Sequence, residues 1–281
     1  MAQAELRDDR VLVFTRVIAA IIVPILLLAF LILFFLPDQT GRRFAWEIKP
    51  HMTAMYMGAG YLGGAYLFAR VIFERRWHRV AAAYLPVTAF TWSMLILTVL
   101  HWSRFDLSLL GFQLWLVLYI VTPFLVPFVW YRNRRTDPGT PEPDDVLVPQ
   151  TVRRAVLALG AVILALSLYT FVNPAFLVGV WPWTLTPLSA RVLAGWGMLL
   201  AVADIVIARD ARWSSWRIGI HAMSLWHVLV LVAALLNPAD FKSGLVNWYT
   251  VAVVLILAGI AGLYVTMGSR RRGTSATVAV P

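Results

Sequence analysis

VLVFTRVIAAIIVPILLLAFLILFFL, residues 11–36, decides the fold. Its 26 residues carry one charge, Arg16, and exceed the roughly 20 apolar residues that a helix needs to cross a bilayer. A secretory signal has an apolar stretch of only about 7–15 residues and a small-residue cleavage site. This run ends instead on Phe34-Phe35-Leu36-Pro37-Asp38. It reads as a retained first transmembrane helix.

Working outward, seven more apolar segments of spanning length follow, at 51–73, 80–100, 109–131, 152–173, 189–208, 216–236 and 246–267. Continuous runs, without short alternating strands, argue helices over a barrel. Pro24, Pro86, Pro123 and Pro127 lie within them as tolerated kinks. The chain is 60% hydrophobic and 14% charged, where globular proteins carry about 25% charged residues. The expected class is an all-α polytopic integral membrane protein with eight transmembrane helices.

The net charge of +10 does not suggest nucleic acid, because the basic residues sit in short loops. Eighteen of the 24 Lys and Arg fall on the side of the N-terminus, the even-numbered loops and the tail, against six on the other. The positive-inside rule then places both termini in the cytoplasm, and the plasma membrane is the expected location. With no cysteine, disulfides, thiolate metal sites and covalent haem attachment are excluded. Lys49 and Lys242 lie in loops, which disfavours a retinal Schiff base. No cofactor and no metal site are expected.

The two halves look related. A shift of 137 brings Pro37 onto Pro174, Trp46 onto Trp183, Pro50 onto Pro187, Gly58 onto Gly195 and Gly60 onto Gly197. With small gaps Phe105 meets Phe241 and Trp115 meets Trp248. This predicts two tandem four-helix repeats, 1–135 and 151–268, of the same orientation. Between them, 136–150 reads as a Pro- and acid-rich cytoplasmic linker, and 269–281 as a disordered cytoplasmic tail.

The repeated W-x-x-x-P suggests an anchor and a helix start. Trp46 and Trp183, with Phe44 and Trp181, are expected at headgroup level, and Pro50 and Pro187 in the first turns of the second and sixth helices. Gly60-x-x-x-Gly64 and Gly197-x-x-x-Ala201 form small-residue stripes, on which those two helices are expected to pack across the pseudo-twofold axis. Trp92, Trp196 and Trp226 read as core packing.

Ionisable groups inside a membrane rank first as functional candidates. Asp204 and His221 mirror one another about the loop between the sixth and seventh helices, and are expected to face each other, with His227 deeper. The functional reading is a proton-handling or substrate-contacting site; the competing reading is a hydrogen-bonded pair that glues helices together. A second cluster, Glu47, His51, His101 and Arg191, lies on the opposite side, with Glu47 expected to pair with Arg191. No H-E-x-x-H, G-x-S-x-G, P-loop or nucleophile–base–acid triad stands out.

Three readings stay open: a permease or carrier with a polar site between repeats, a non-catalytic assembly or scaffold subunit, and an enzyme acting on a lipid-linked substrate at the outer interface. The expected partners are membrane lipids and a small-molecule or lipid substrate, not nucleic acid; an oligomer or a protein partner in the membrane is left open.

Overall fold

The structure, a computed structural model, describes residues 7–278, with side chains through Arg270. The side chains of Arg271 and Arg272, and residues 279–281, lie outside the described part.

Among the described residues there is no strand, only three isolated bridges between loop segments. Eight long helices carry the fold: α1 (Val13–Phe35), α2 (His51–Phe73), α3 (Tyr84–Leu100), α4 (Leu110–Asn133), α5 (Gln150–Val172), α6 (Pro187–Arg209), α7 (Trp213–Leu236) and α8 (Leu245–Val278). The last turns of α8 run into the segment expected to be a disordered tail. Short helices, Thr40–Arg43, His78–Ala81 and Pro174–Val180, lie in the connections.

Seven of the long helices are long and apolar enough to cross a membrane; α2 is not among them. It has the same 23-residue length as α1, but Gly58, Gly60, Gly63, Gly64 and three tyrosines dilute its hydropathy. The reason is its position. Thirteen of its residues are buried, against three, Gly160, Ser167 and Thr170, in the equally long α5. A helix surrounded by protein needs small and polar-tipped side chains rather than a lipid-soluble surface.

The packing interleaves the two halves. α1 lies along α2 and α5 along α6, while α3 packs on α4 and α6, and α7 on α8 and α2. The consecutive helices α6 and α7 therefore do not form the packed hairpin that their short connection suggests. Asp210 and Arg212 at its ends are both extended, φ/ψ −98/126 and −70/117, which carries α7 away from α6 rather than back along it.

Trp196 sits where the four inner helices meet. Its ring lies 4.3 Å from Phe90 of α3, 4.9 Å from Trp226 of α7 and 5.4 Å from Tyr61 of α2. Trp196 and Trp226 are core, as expected, but Trp92 is 38% exposed and meets Phe124 edge to face at the surface.

The glycine stripes do not bring α2 and α6 backbone to backbone. Gly64 faces Leu26 of α1, and Gly197 faces Ser167 of α5, so each stripe seats the first helix of its own half. Gly60 receives the Trp196 ring; a Cβ there would lie 2.7 Å from it. The large indole between the helices is the physical reason for their separation.

At the end holding the N-terminal arm, two loop assemblies have the same form. Val11 N–H donates to Arg75 O and Trp77 N–H to Asp9 O. Val148 N–H donates to Ala211 O and Trp213 N–H to Val146 O. The segment 136–150 is therefore laid down against the α6–α7 connection rather than hanging free. Asp9 adopts φ 58, a left-handed conformation that aspartate tolerates better than most residues.

At the far end, Trp46 and Trp183 are buried in protein, 7% and 0% exposed, rather than turned outward. Trp46 packs edge-on against Phe105 and Trp115 at 5.7 and 5.1 Å. Trp183 packs against Phe241 and Tyr249, both at 5.3 Å, and its indole N–H donates to Thr53 Oγ1 of α2 at 2.8 Å. Phe44 and Trp181 belong to the same clusters. Each loop needs an aromatic plug more than a lipid anchor. Trp248, matched in sequence to Trp115, is 64% exposed; Tyr249 takes the inward place. Pro187 opens α6 with Thr186 as a side-chain cap, whereas Pro50 stands one residue before α2.

Candidate functional site

A cavity of about 590 Å³ lies among the inner helices, walled by both halves. Phe90, Tyr61, Trp196 and Trp226 give it aromatic walls, and Asp204 and His227 are among its few polar groups. Two lining residues, Leu159 of α5 and Ile256 of α8, are 54% and 45% exposed, so the cavity opens sideways, past apolar side chains.

Asp204 comes from α6, five residues before its end. Gly160 permits this placement: a Cβ at 160 would meet Asp204 Cβ and Ala201 O at 2.9 Å, so only glycine lets α5 lie so close to α6. The Asp204 carboxylate has no hydrogen bond or ion pair among the described residues.

The expected pairing of Asp204 with His221 does not form. His221 Nδ1 lies 3.2 Å from the Tyr66 hydroxyl of α2, and Nε2 lies 3.1 Å from the Tyr264 hydroxyl of α8. The divergence of α7 from α6 is the cause, since mirror positions meet only in a closed hairpin. His227 does line the cavity, and its Nδ1 lies 2.8 Å from the Met223 carbonyl. That bond requires an N–H on Nδ1, so in the neutral ring Nε2 is an acceptor.

At the far end the second expected cluster separates. Glu47 pairs with Lys49 at 2.7 Å, both exposed, and not with Arg191. Arg191 donates to Phe171 O and, at 2.8 Å, to His101 Nε2. Burial first, and then the Arg191 and Arg104 charges, lower the His101 pKa, consistent with a neutral ring accepting from the guanidinium. His51 meets Asp38 at 2.7 Å. These local pairs leave no convergent acid, base and anion site.

The arm end holds what the sequence did not reveal. Asp9 Oδ1 accepts from His78 N–H at 3.0 Å, and Oδ2 from His78 Nδ1–H at 2.5 Å. Asp145 Oδ1 likewise accepts from Ser214 N–H at 3.0 Å, and Oδ2 from Ser214 Oγ–H at 2.5 Å. The two units then join, His78 Nε2 to Ser214 Oγ at 2.9 Å. Asp9, His78 and Ser214 thus stand in triad order, a grouping that did not stand out in the sequence. They lack triad chemistry. Ser214 gives its hydroxyl hydrogen to Asp145, so it faces His78 as an acceptor and both imidazole nitrogens donate. No lone pair remains to take a proton from serine. The backbone N–H groups of residues 213–215 are bound as well, leaving no oxyanion donor there. Residues 69 and 136 apart in sequence give no periodic signal that could have found this network.

Charged pairs surround it. Arg79 binds Glu142 through Nε and Nη2 at 2.7 and 2.6 Å, and Glu74 at 3.0 Å. Arg212 binds Asp137 at 2.8 and 3.0 Å and Asp210 at 2.7 Å. Arg79's hydrogen bonds hold the Glu142 pKa below its ordinary value against burial. Burial pushes the Asp137 and Asp210 carboxyls up, yet Arg212 brings both below the usual range. A second cavity, about 520 Å³, lies here beside His78, Asp137 and Arg212. Among the described residues no group of three His, Asp or Glu side chains is placed to hold a metal ion.

No known protein family matches this chain. Neither do the curated proteins or the solved structures contain a match. The functional reading therefore rests on the site itself.

Proposed function

We propose that the protein is a carrier-like membrane protein that binds a small amphipathic molecule in the cavity between its two halves. The observation that carries this reading is an unpartnered carboxylate, Asp204, in the wall of an apolar cavity to which both halves contribute. An intramembrane ionisable group without a structural partner is by default a functional group. Asp204 has no gluing role to explain it, unlike His221 and Arg191.

In this reading all eight long helices cross the membrane, α2 as the inner, protein-surrounded one, and both termini are cytoplasmic in the plasma membrane. The halves are tandem repeats. Supporting that are the paired loop assemblies at the arm end, the Trp46–Phe105 and Trp183–Phe241 packing, and the reciprocal contacts of α3 with α6 and α7 with α2. Parallel repeats about an axis along the membrane normal place a ligand at their junction. No observation favours the enzyme reading, because Glu47, His101 and Arg191 do not converge. The scaffold reading draws on α8, which packs mainly on α7 and exposes Trp248, Val251, Leu255 and Val265.

Gly219 tests the cavity. It lines the wall, and a Cβ there meets nothing within 4 Å, so Gly219→Phe fills the space without a clash at its root. Native mass spectrometry of wild-type protein should show a retained small molecule or lipid, and the variant should lose it. Identical adduct patterns in two equally monodisperse proteins would sink the reading.

A further inference from the structure

We infer that the ligand of this cavity carries an ammonium group on an apolar body, and that Asp204 is its counter-ion. The inference rests on the cavity being a binding site. A carboxylate in the wall of an apolar cavity needs a compensating charge, and among the described residues none pairs with Asp204. Arg79, the one Lys or Arg in the cavity wall, is already held by Glu142 and Glu74. His227, another polar group of the same wall, commits its N–H to Met223 and leaves an acceptor. Carboxylate and imidazole acceptors together select a hydrogen-bond donor; the Trp196 indole N–H, unpartnered in the same wall, is a neutral donor, and Arg79 is already committed to Glu142 and Glu74, so an anionic ligand would find no free cation.

The remaining wall fits the rest of such a molecule. Trp196 lies eight residues from Asp204 on the same helix, about 12 Å along its axis. An ammonium at Asp204 then lets an alkyl or aromatic body extend to the Phe90, Trp196 and Trp226 rings, whose faces attract cations and apolar groups alike. Entry past the exposed Leu159 and Ile256 is entry from the lipid phase. Under the 137-residue correspondence, Asp204 stands where the first half has Leu67, and His227 stands one gap from the place of Thr91; both lie in the same wall. The scaffold is thus built with or without the charge, and the carboxylate is an addition to one side.

The probes are dodecylamine and its uncharged counterpart dodecanol, with phosphatidylethanolamine and phosphatidylglycerol as headgroup equivalents. Each is added to the purified full-length protein in detergent, and one-to-one adducts are read by native mass spectrometry. Dodecylamine or phosphatidylethanolamine should be bound at least tenfold better than its uncharged or anionic counterpart; which of the two wins tells a free amine from a lipid headgroup. Asp204→Asn should abolish that preference and Asp204→Glu retain it. The wild-type comparison stands even where the asparagine variant fails to fold. Equal binding of amine and alcohol, lost in Gly219→Phe, overturns the cation inference and leaves the cavity reading intact. No adduct with any probe, together with a retained-adduct pattern unchanged by Gly219→Phe, overturns both.

Discussion

His78 and Ser214, each following the tryptophan whose N–H closes one of the two loop assemblies at the arm end, hydrogen-bond each other, Nε2 to Oγ at 2.9 Å. Each is also bound by an aspartate from the segment that precedes the first helix of its half, Asp9 and Asp145. The arm end is therefore closed by one continuous polar line through both halves, with His78 only 1% exposed.

Breaking this line at its centre should be costly. His78→Ala leaves Asp9 Oδ2 without its ring partner in a buried site, with only the backbone N–H of residue 78 remaining on Oδ1, and should destabilise by about 3–5 kcal/mol. Ser214→Ala removes a hydroxyl but leaves the His78–Asp9 bond, and should cost about 1–2 kcal/mol. Thermal unfolding in detergent measures both, and equal small effects would show that the line does not hold the end closed.

Acid should open the same end. Glu142, Asp137 and Asp210 have lowered pKa values. A lowered carboxylate contributes fully above its unfolded value, here 4.5 for Glu and 3.8 for Asp, and the contribution is lost as pH falls through the folded value. The melting temperature should therefore decline below about pH 4.5 as these carboxylates protonate. Glu142→Gln should lower stability at neutral pH and make the acid decline shallower. An unchanged slope would place the acid sensitivity elsewhere.

Two glycines should behave oppositely. Gly60→Leu drives a side chain into the Trp196 ring, with its Cβ already at 2.7 Å, and should destabilise by about 1–3 kcal/mol. Gly219→Ala meets open space within α7 and should be neutral or stabilise by up to about 1 kcal/mol, from the higher helix propensity of alanine. Parallel melting curves decide, and a reversed order would contradict the packing at Trp196.

The absence of cysteine makes the native chain a clean background for labelling. Under the proposed orientation, single cysteines replacing Asp144 and Ser269 should react from the cytoplasmic side in intact cells only after permeabilisation. Those replacing Asp106 and Lys242 should react from outside with a membrane-impermeant maleimide. Labelling of positions 106 and 144 from the same side would remove α4 as a span, and of 38 and 75 from the same side would remove α2.

The same particulars show how far the sequence reaches. Helix positions were legible because a bilayer demands about 20 consecutive apolar residues, and the expected 51–73 coincides with α2. What that pattern could not give was the membrane-facing or inward status of α2, since burial in protein relaxes the demand for hydropathy. Asp204 and His227 were found as residues breaking an apolar run. Their companions were misjudged: His221 turns to Tyr66 and Tyr264, and Arg191 to His101, because side-chain partners depend on which helices pack together.

The sequence alone determined the helical class, the number of long segments, the charge asymmetry between loops and the correspondence at a shift of 137. These depend on local composition and on the cost of placing polar groups in hydrocarbon. The tertiary structure alone decided that α6 and α7 diverge, that Trp46 and Trp183 turn inward, that 136–150 is pinned by Arg79 and Arg212, and that His78 meets Ser214. Those outcomes follow from loop geometry and from contacts between residues far apart in the chain, which no periodicity in a single segment records.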